Sequence, residues 1–305
     1  MVEIYGVHAL MVCLVVMLAA VLPEIADVYI KGRRKACTDY FCHIAQKLET
    51  MGHIPSSQEN KELYSWWKQA LEAASSDWLS QEELAAFKQA ATACGEDISA
   101  YNFRAKKSYL NKYCGLKTKV CCGLVYGAVA AVIGASCIWG NHGLDLYAYL
   151  FPLLYFGTLL FTISVSDACY RTIPSDLSMV LFISACIWQL VACENNIELA
   201  FLNVLTSVGI ALVFLILRHV NHGKNFTMGM GLGDIDLSFG VFTLGGLQNG
   251  FIVSLGLLFA IIAQIVYQHY WEGGFKRTST HPFGPALCFA GFAGLICEIV
   301  GVLIV

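Results

Sequence analysis

Long apolar runs separated by polar connections dominate the chain. A stretch of about 17–25 mainly apolar residues can cross a bilayer as a helix. The sequence predicts eight such spans, near 5–30, 119–139, 146–166, 177–193, 198–218, 234–248, 250–271 and 284–305. The sixth is short and rich in glycine, so seven spans with one re-entrant segment is the alternative. The pattern predicts an all-α polytopic membrane protein with about eight transmembrane helices.

One long polar stretch, 31–118, interrupts the apolar pattern and predicts a small helical insertion. Within it, Ser80-Gln-Glu-Glu83 is typical of a capping box that opens a helix through Cys94. Residues 1–30 form the predicted N-terminal anchor, because no basic residue precedes the apolar run and a basic cluster follows it, unlike a cleaved signal peptide. Residues 119–305 form the predicted membrane core.

Composition and charge predict how the chain is oriented in the membrane. The chain is 57% hydrophobic and only 13% charged, and 14 of its 19 Lys and Arg residues lie between Lys31 and Lys119. Loops rich in Lys and Arg stay in the cytoplasm, and with eight spans every cation falls on one side. The insertion is therefore predicted to be cytoplasmic, with both termini outside the cytoplasm. A net charge of −3 without a basic face excludes nucleic acid as a partner.

Two acidic residues lie at the edges of apolar segments on that same side. Asp167 ends the third span, and Asp234 follows Gly231 and Gly233 at the start of the sixth. An ionisable residue at a span is energetically expensive and suggests function. Two converging carboxylates that share one proton can activate water against a peptide bond, and the glycines leave space for an extended peptide. The structural alternative is that Asp234 and Asp236 only cap a helix.

Three segments resemble the type IV prepilin peptidases, the Gly-x-Gly-Asp family of membrane aspartyl peptidases. These segments are Asp167 with Arg171-Thr-Ile173-Pro174, then Gly231-Leu-Gly233-Asp234, and finally His281-Pro282-Phe283-Gly284-Pro285. The resemblance implies removal of leader peptides from prepilin or pseudopilin substrates at the inner membrane, with cleavage between a short basic leader and a hydrophobic helix. It implies that Asp167 and Asp234 are catalytic. The residues that would bind substrate or shape the site are Gly231, Gly233, Arg171, Pro174, Asp236, Pro282, Gly284 and Pro285.

The chain departs from the family pattern in three respects. Ser175 stands where Asn is usual, and Asp236 stands where Lys is common. Bifunctional members also methylate the new N-terminus and carry two Cys-x-x-Cys pairs that resemble a zinc site. No such pair occurs here, so the sequence predicts no metal and no cofactor, and it does not support methyl transfer.

Two other functions stay open. A presenilin-like or signal-peptide-peptidase-like intramembrane protease is suggested by Gly-Leu-Gly-Asp and by Pro285-Ala-Leu287, but those enzymes have Tyr where this chain has Ser166. An ion-coupled transporter would use Asp167 and Asp234 as proton or cation sites near broken helices. The sequence contains no signal for the oligomeric state.

Overall fold

The structure is a computed structural model. It describes residues 2–51, 114–139, 146–170, 173–193, 196–222, 232–247, 249–271 and 283–304, together with residues 85, 88, 89 and 92. Every regular element in these residues is helical. The all-α prediction is thereby confirmed for the described part of the chain.

A helix lies in each of the eight predicted apolar segments. The helices are α1 Val2–Met51, α2 Leu116–Trp139, α3 Leu146–Tyr170, α4 Ser175–Ala192, α5 Ile197–His222, α6 Leu232–Gly245, α7 Gly250–Trp271 and α8 Gly284–Ile304. By length and composition, the described residues contain five helices that could cross a membrane, and these are α1 to α5. Shorter apolar stretches lie in α7 and α8. These are the properties of a helical membrane protein.

The first helix extends well beyond the predicted anchor. Its apolar part is Gly6–Gly32, but the helix continues to Met51, so the first part of the predicted insertion prolongs the anchor. The predicted capping box at 80–83 lies outside the described residues. Residues 85, 88, 89 and 92, within the helix predicted through Cys94, are helical.

Most described residues of helix α6 are buried, and the helix packs mainly against α4, α5 and α8, with a smaller contact to α7. Its 14 residues give a length of about 21 Å at about 1.5 Å per residue, which is less than the roughly 30 Å of a bilayer's hydrocarbon core. Residues 240 to 246 are all buried. A Cβ on Gly294 of α8 would lie 3.2 Å from the Cα of Gly245. Glycine at both positions therefore lets the α6 and α8 backbones approach closely.

A polar network holds the C-terminal end of α6. Gln189 donates to Glu298 Oε1 at 2.9 Å, and Asn203 donates to Gln189 Oε1 at 2.6 Å. The backbone N–H of Leu247, in the turn after α6, donates to Asn203 Oδ1 at 3.0 Å. Gly246 begins this turn with φ +62°, a conformation that favours glycine. We call this part of the bundle, defined by Gln189, Asn203 and Glu298, the glutamate end.

Candidate active site

The opposite end of the bundle brings together segments that are distant in sequence. It is formed by the last turn of α3 and the first turns of α4, α6 and α8, and it contains Asp167, Ile173, Asp234 and Gly284. Helix α8 packs against both α3 and α6. We call this part, defined by those four residues, the aspartate end.

Asp167 is buried where α3 meets the first residue of α8. Its side chain is 6% exposed, and its Oδ2 accepts a hydrogen bond from the backbone N–H of Gly284 at 2.8 Å. The first amides of a helix have no acceptor within the helix and carry its positive dipole. The start of α8 is therefore electrostatically suited to a carboxylate at this point.

Gly284 fits this contact because it has no side chain. A Cβ at this position would lie 2.8 Å from Asp167 Oδ2 and 3.0 Å from Asp167 Cβ. Ordinary contacts between carbon and its neighbours are about 3.5 Å or longer. Gly284 therefore determines how closely the α8 backbone approaches the carboxylate.

The two other motifs also meet at the aspartate end. A Cβ on Gly233 would lie 2.9 Å from the Cβ of Ile173, so the residue before Asp234 packs directly on the segment that leads into α4. Asp234 lies in the first turn of α6 and is half-buried, whereas Asp236 is exposed. Of these two acids, only Asp234 is partly shielded within the bundle.

Pro174 and Pro285 lie at the starts of their helices. Pro174 precedes α4 in an extended conformation, and its carbonyl accepts hydrogen bonds from the N–H and the hydroxyl of Ser178 at 3.0 and 3.1 Å. Pro285 is the second residue of α8 and lines a cavity. The remaining predicted site residues, Arg171, Gly231 and Pro282, lie outside the described residues.

Helix α1 contributes polar contacts near the aspartate end. The hydroxyl of Tyr29 donates to Asp176 of α4 at 2.7 Å, and Glu24 forms an ion pair with Lys119 of α2. Just before α2, burial and, to a lesser extent, the charge of Asp27 raise the pKa of the Cys114 thiol to about 11. A raised pKa disfavours the thiolate, which is the nucleophilic form of cysteine.

Within the described ranges, no group of three or more His, Cys, Asp or Glu residues could hold a metal ion. Cys94 lies outside the described residues. At the glutamate end, Glu298, Gln189 and Asn203 were not predicted as a cluster. The sequence feature that could have indicated this cluster is the presence of polar residues inside apolar runs. Glu298, like the two aspartates, is an ionisable residue in such a run, which suggests function.

Comparison of the chain with protein-family models, with curated proteins and with solved structures finds no match in any of the three.

Proposed function

We propose that the protein is a membrane aspartyl endopeptidase that removes the leader peptide from type IV prepilin-like or pseudopilin-like substrates. The observation that carries this proposal is the hydrogen bond from the Gly284 amide to the buried Asp167 carboxylate. This hydrogen bond joins the first aspartate motif to the Pro-Phe-Gly-Pro segment. The two bonded residues are 117 positions apart in the chain, and the family resemblance related their segments by sequence alone. The contact of Gly233 with Ile173 adds the second aspartate motif to the same end.

The proposed chemistry is attack by a water molecule held between Asp167 and Asp234. One carboxylate takes a proton from the water while the other, protonated, donates to the scissile carbonyl. The resulting tetrahedral intermediate breaks its carbon–nitrogen bond as the amine takes up a proton. No covalent acyl-enzyme forms, and neither a metal nor a cofactor takes part.

The proposed location is the cytoplasmic face of the inner membrane, with eight spans and both termini outside the cytoplasm. The positive residues of the polar connections support this orientation. In that arrangement the aspartate end faces the cytoplasm, where an uncleaved leader would remain. A substrate cut deep within its membrane helix would instead favour the presenilin-like alternative.

The test is co-expression with a candidate prepilin, with the size and mature N-terminus of the product measured by mass spectrometry. Asp167→Asn and Asp234→Asn should each abolish cleavage while leaving the protein in the membrane, because neither amide can exchange the required proton. Glu198→Gln is the control for loss of a carboxylate, since Glu198 is exposed and lies in the first turn of α5, away from the aspartate end, and it should retain cleavage. Full processing by either of the first two variants would disprove the catalytic pair. The same spectrum reports methylation, and an unmethylated N-terminus is expected.

A further inference from the structure

An apolar groove adjoins the aspartate end, between α2, α3 and α8. Its volume is about 390 Å³. The side chains that line it are mainly aliphatic and aromatic, and they include Val125, Tyr126, Leu160, Phe161, Phe289 and Phe292. Val125 and Phe289 are 53% and 51% exposed, so the groove opens on the outer, lipid-facing side of the bundle.

The groove ends close to the candidate active site. On α3 its wall includes Ser164, and the next residue on the same helix face, three positions later, is Asp167. On α8 its wall begins at Pro285, directly after the Gly284 amide that contacts Asp167. Asp167 is therefore about one helical turn beyond the end of the groove wall on α3.

The groove, extended to Asp167, has the length of a short helix. Along α3 its wall runs from Gly157 to Ser164, and Asp167 lies ten residues from Gly157, or about 15 Å at about 1.5 Å per residue. Two to three turns of an apolar helix cover that length. A chain that lies along the groove would bring its end to Asp167.

Gly157 and Tyr126 pack closely against each other in the wall of the groove. A Cβ on Gly157 would lie 2.1 Å from the hydroxyl oxygen of Tyr126, and the Tyr126 ring packs on Phe292 with centroids 5.1 Å apart. Only a residue without a side chain leaves room for the Tyr126 ring in this position. An added methyl group would force the ring to move and would change the shape of the groove wall.

We propose that this groove binds the apolar helical segment of the protein substrate, on the C-terminal side of the bond to be cut. The inference rests on the proposed peptidase function, which requires a polar junction at the aspartates and an apolar helix immediately after it. A lipid chain could fill the groove but would have no reason to end at a carboxylate. The position of the groove, about one helical turn from Asp167 along α3, therefore favours the substrate helix.

The test is site-specific photocrosslinking in whole membranes. Benzoylphenylalanine replaces Phe289 in the Asp167→Asn protein, which should hold an uncleaved prepilin. Phe251 of α7, which is 74% exposed and lies outside the groove lining, is the matched control position. Val125 provides a second groove position if the protein with the change at Phe289 does not accumulate. We expect an adduct with the prepilin from a groove position and none from Phe251.

The possible outcomes distinguish failure of the groove assignment from failure of the peptidase proposal. If the unmodified protein processes the prepilin but the groove position crosslinks only to lipid, only to a second copy, or no better than Phe251, the groove assignment is wrong and the peptidase stands. If the unmodified protein does not process the prepilin, both fail. Gly157→Ala supplies a kinetic readout, because KM for the full-length prepilin should rise several-fold while kcat is retained. Gly209→Ala is the control. It adds a methyl group in open space and should change neither KM nor kcat. An unchanged KM in Gly157→Ala would also overturn the assignment.

Discussion

Substitution of Gly284 by alanine tests the candidate site without removing a carboxylate. The new Cβ would lie 2.8 Å from Asp167 Oδ2 and 3.1 Å from its Cγ, against an ordinary contact of about 3.5 Å. The carboxylate or the start of α8 must therefore move by about 0.7 Å. The 2.8 Å hydrogen bond from the Gly284 amide is stretched or broken by that movement.

A displacement of this size has a large effect on catalysis and a small one on folding. Misplacing a reacting group by about 1 Å lowers rates by about 100-fold, so we expect kcat to fall by about 10- to 100-fold. The added methyl group overpacks one site, which lowers the free energy of unfolding by about 1–3 kcal/mol. The protein should therefore remain inserted and folded.

The assay is cleavage of a purified prepilin by detergent-solubilised protein, with kcat and KM obtained by mass spectrometry and the melting temperature measured in parallel. Gly209→Ala is the control, because a Cβ at Gly209 has no other atom within 4 Å. That helical substitution should raise stability by about 0.5–1 kcal/mol and leave turnover unchanged. If folded Gly284→Ala cleaved at the wild-type rate, the contact between Gly284 and Asp167 would have no part in catalysis.

Two further predictions concern the packing of α6. Gly294→Val places a branched side chain where a Cβ would already lie 3.2 Å from the Cα of Gly245. The substitution should lower the free energy of unfolding by about 1–3 kcal/mol. An unchanged melting temperature would contradict the close approach of α6 and α8. Gln189→Ala and Asn203→Ala, alone and combined, should show a coupling energy of about 1 kcal/mol in a double-mutant cycle, because Asn203 donates to Gln189 at 2.6 Å. Strictly additive losses would mean that this hydrogen bond adds no stability.

The helices were predictable because a membrane span imposes a long uniform pattern. The sequence predicted the segment 234–248, and the helix there, Leu232–Gly245, ends before Gly246, whose positive φ favours glycine. The end of α1 was not predictable in the same way. The basic residues after residue 30 suggested a boundary, but Lys and Arg are good helix formers and the helix continues to Met51.

The candidate site was predictable only in part. Asp167 and Asp234 stood out individually because acids near apolar segments are expensive. Their surroundings depend on packing between segments far apart in sequence, and Gly284 lies 117 residues from Asp167. No spacing rule relates such segments, so only the family resemblance suggested Gly284. The groove depends on side-chain shapes on three helices and was not predicted.

The layout of the two ends bears on the choice between peptidase and transporter. Helix α6 presents Asp234 at one end, and its other end is held by Gln189 and Asn203. Between these ends, Leu237, Val241 and Leu244 are fully buried. A transport path requires polar groups near the middle of the bilayer, yet the described core beside α6 is mainly apolar.

The hydroxyls of α6 do not alter this conclusion, because they are already hydrogen-bonded. Ser238 donates to the carbonyl of Ile235 at 2.7 Å, and Thr243 shares a 2.6 Å hydrogen bond with Ser207 of α5. Within the described core, α6 therefore resembles a fixed support more than the wall of an ion pathway. A support fixed at the glutamate end can hold Asp234 in place at the aspartate end, and the proposed hydrolysis would require that rigidity.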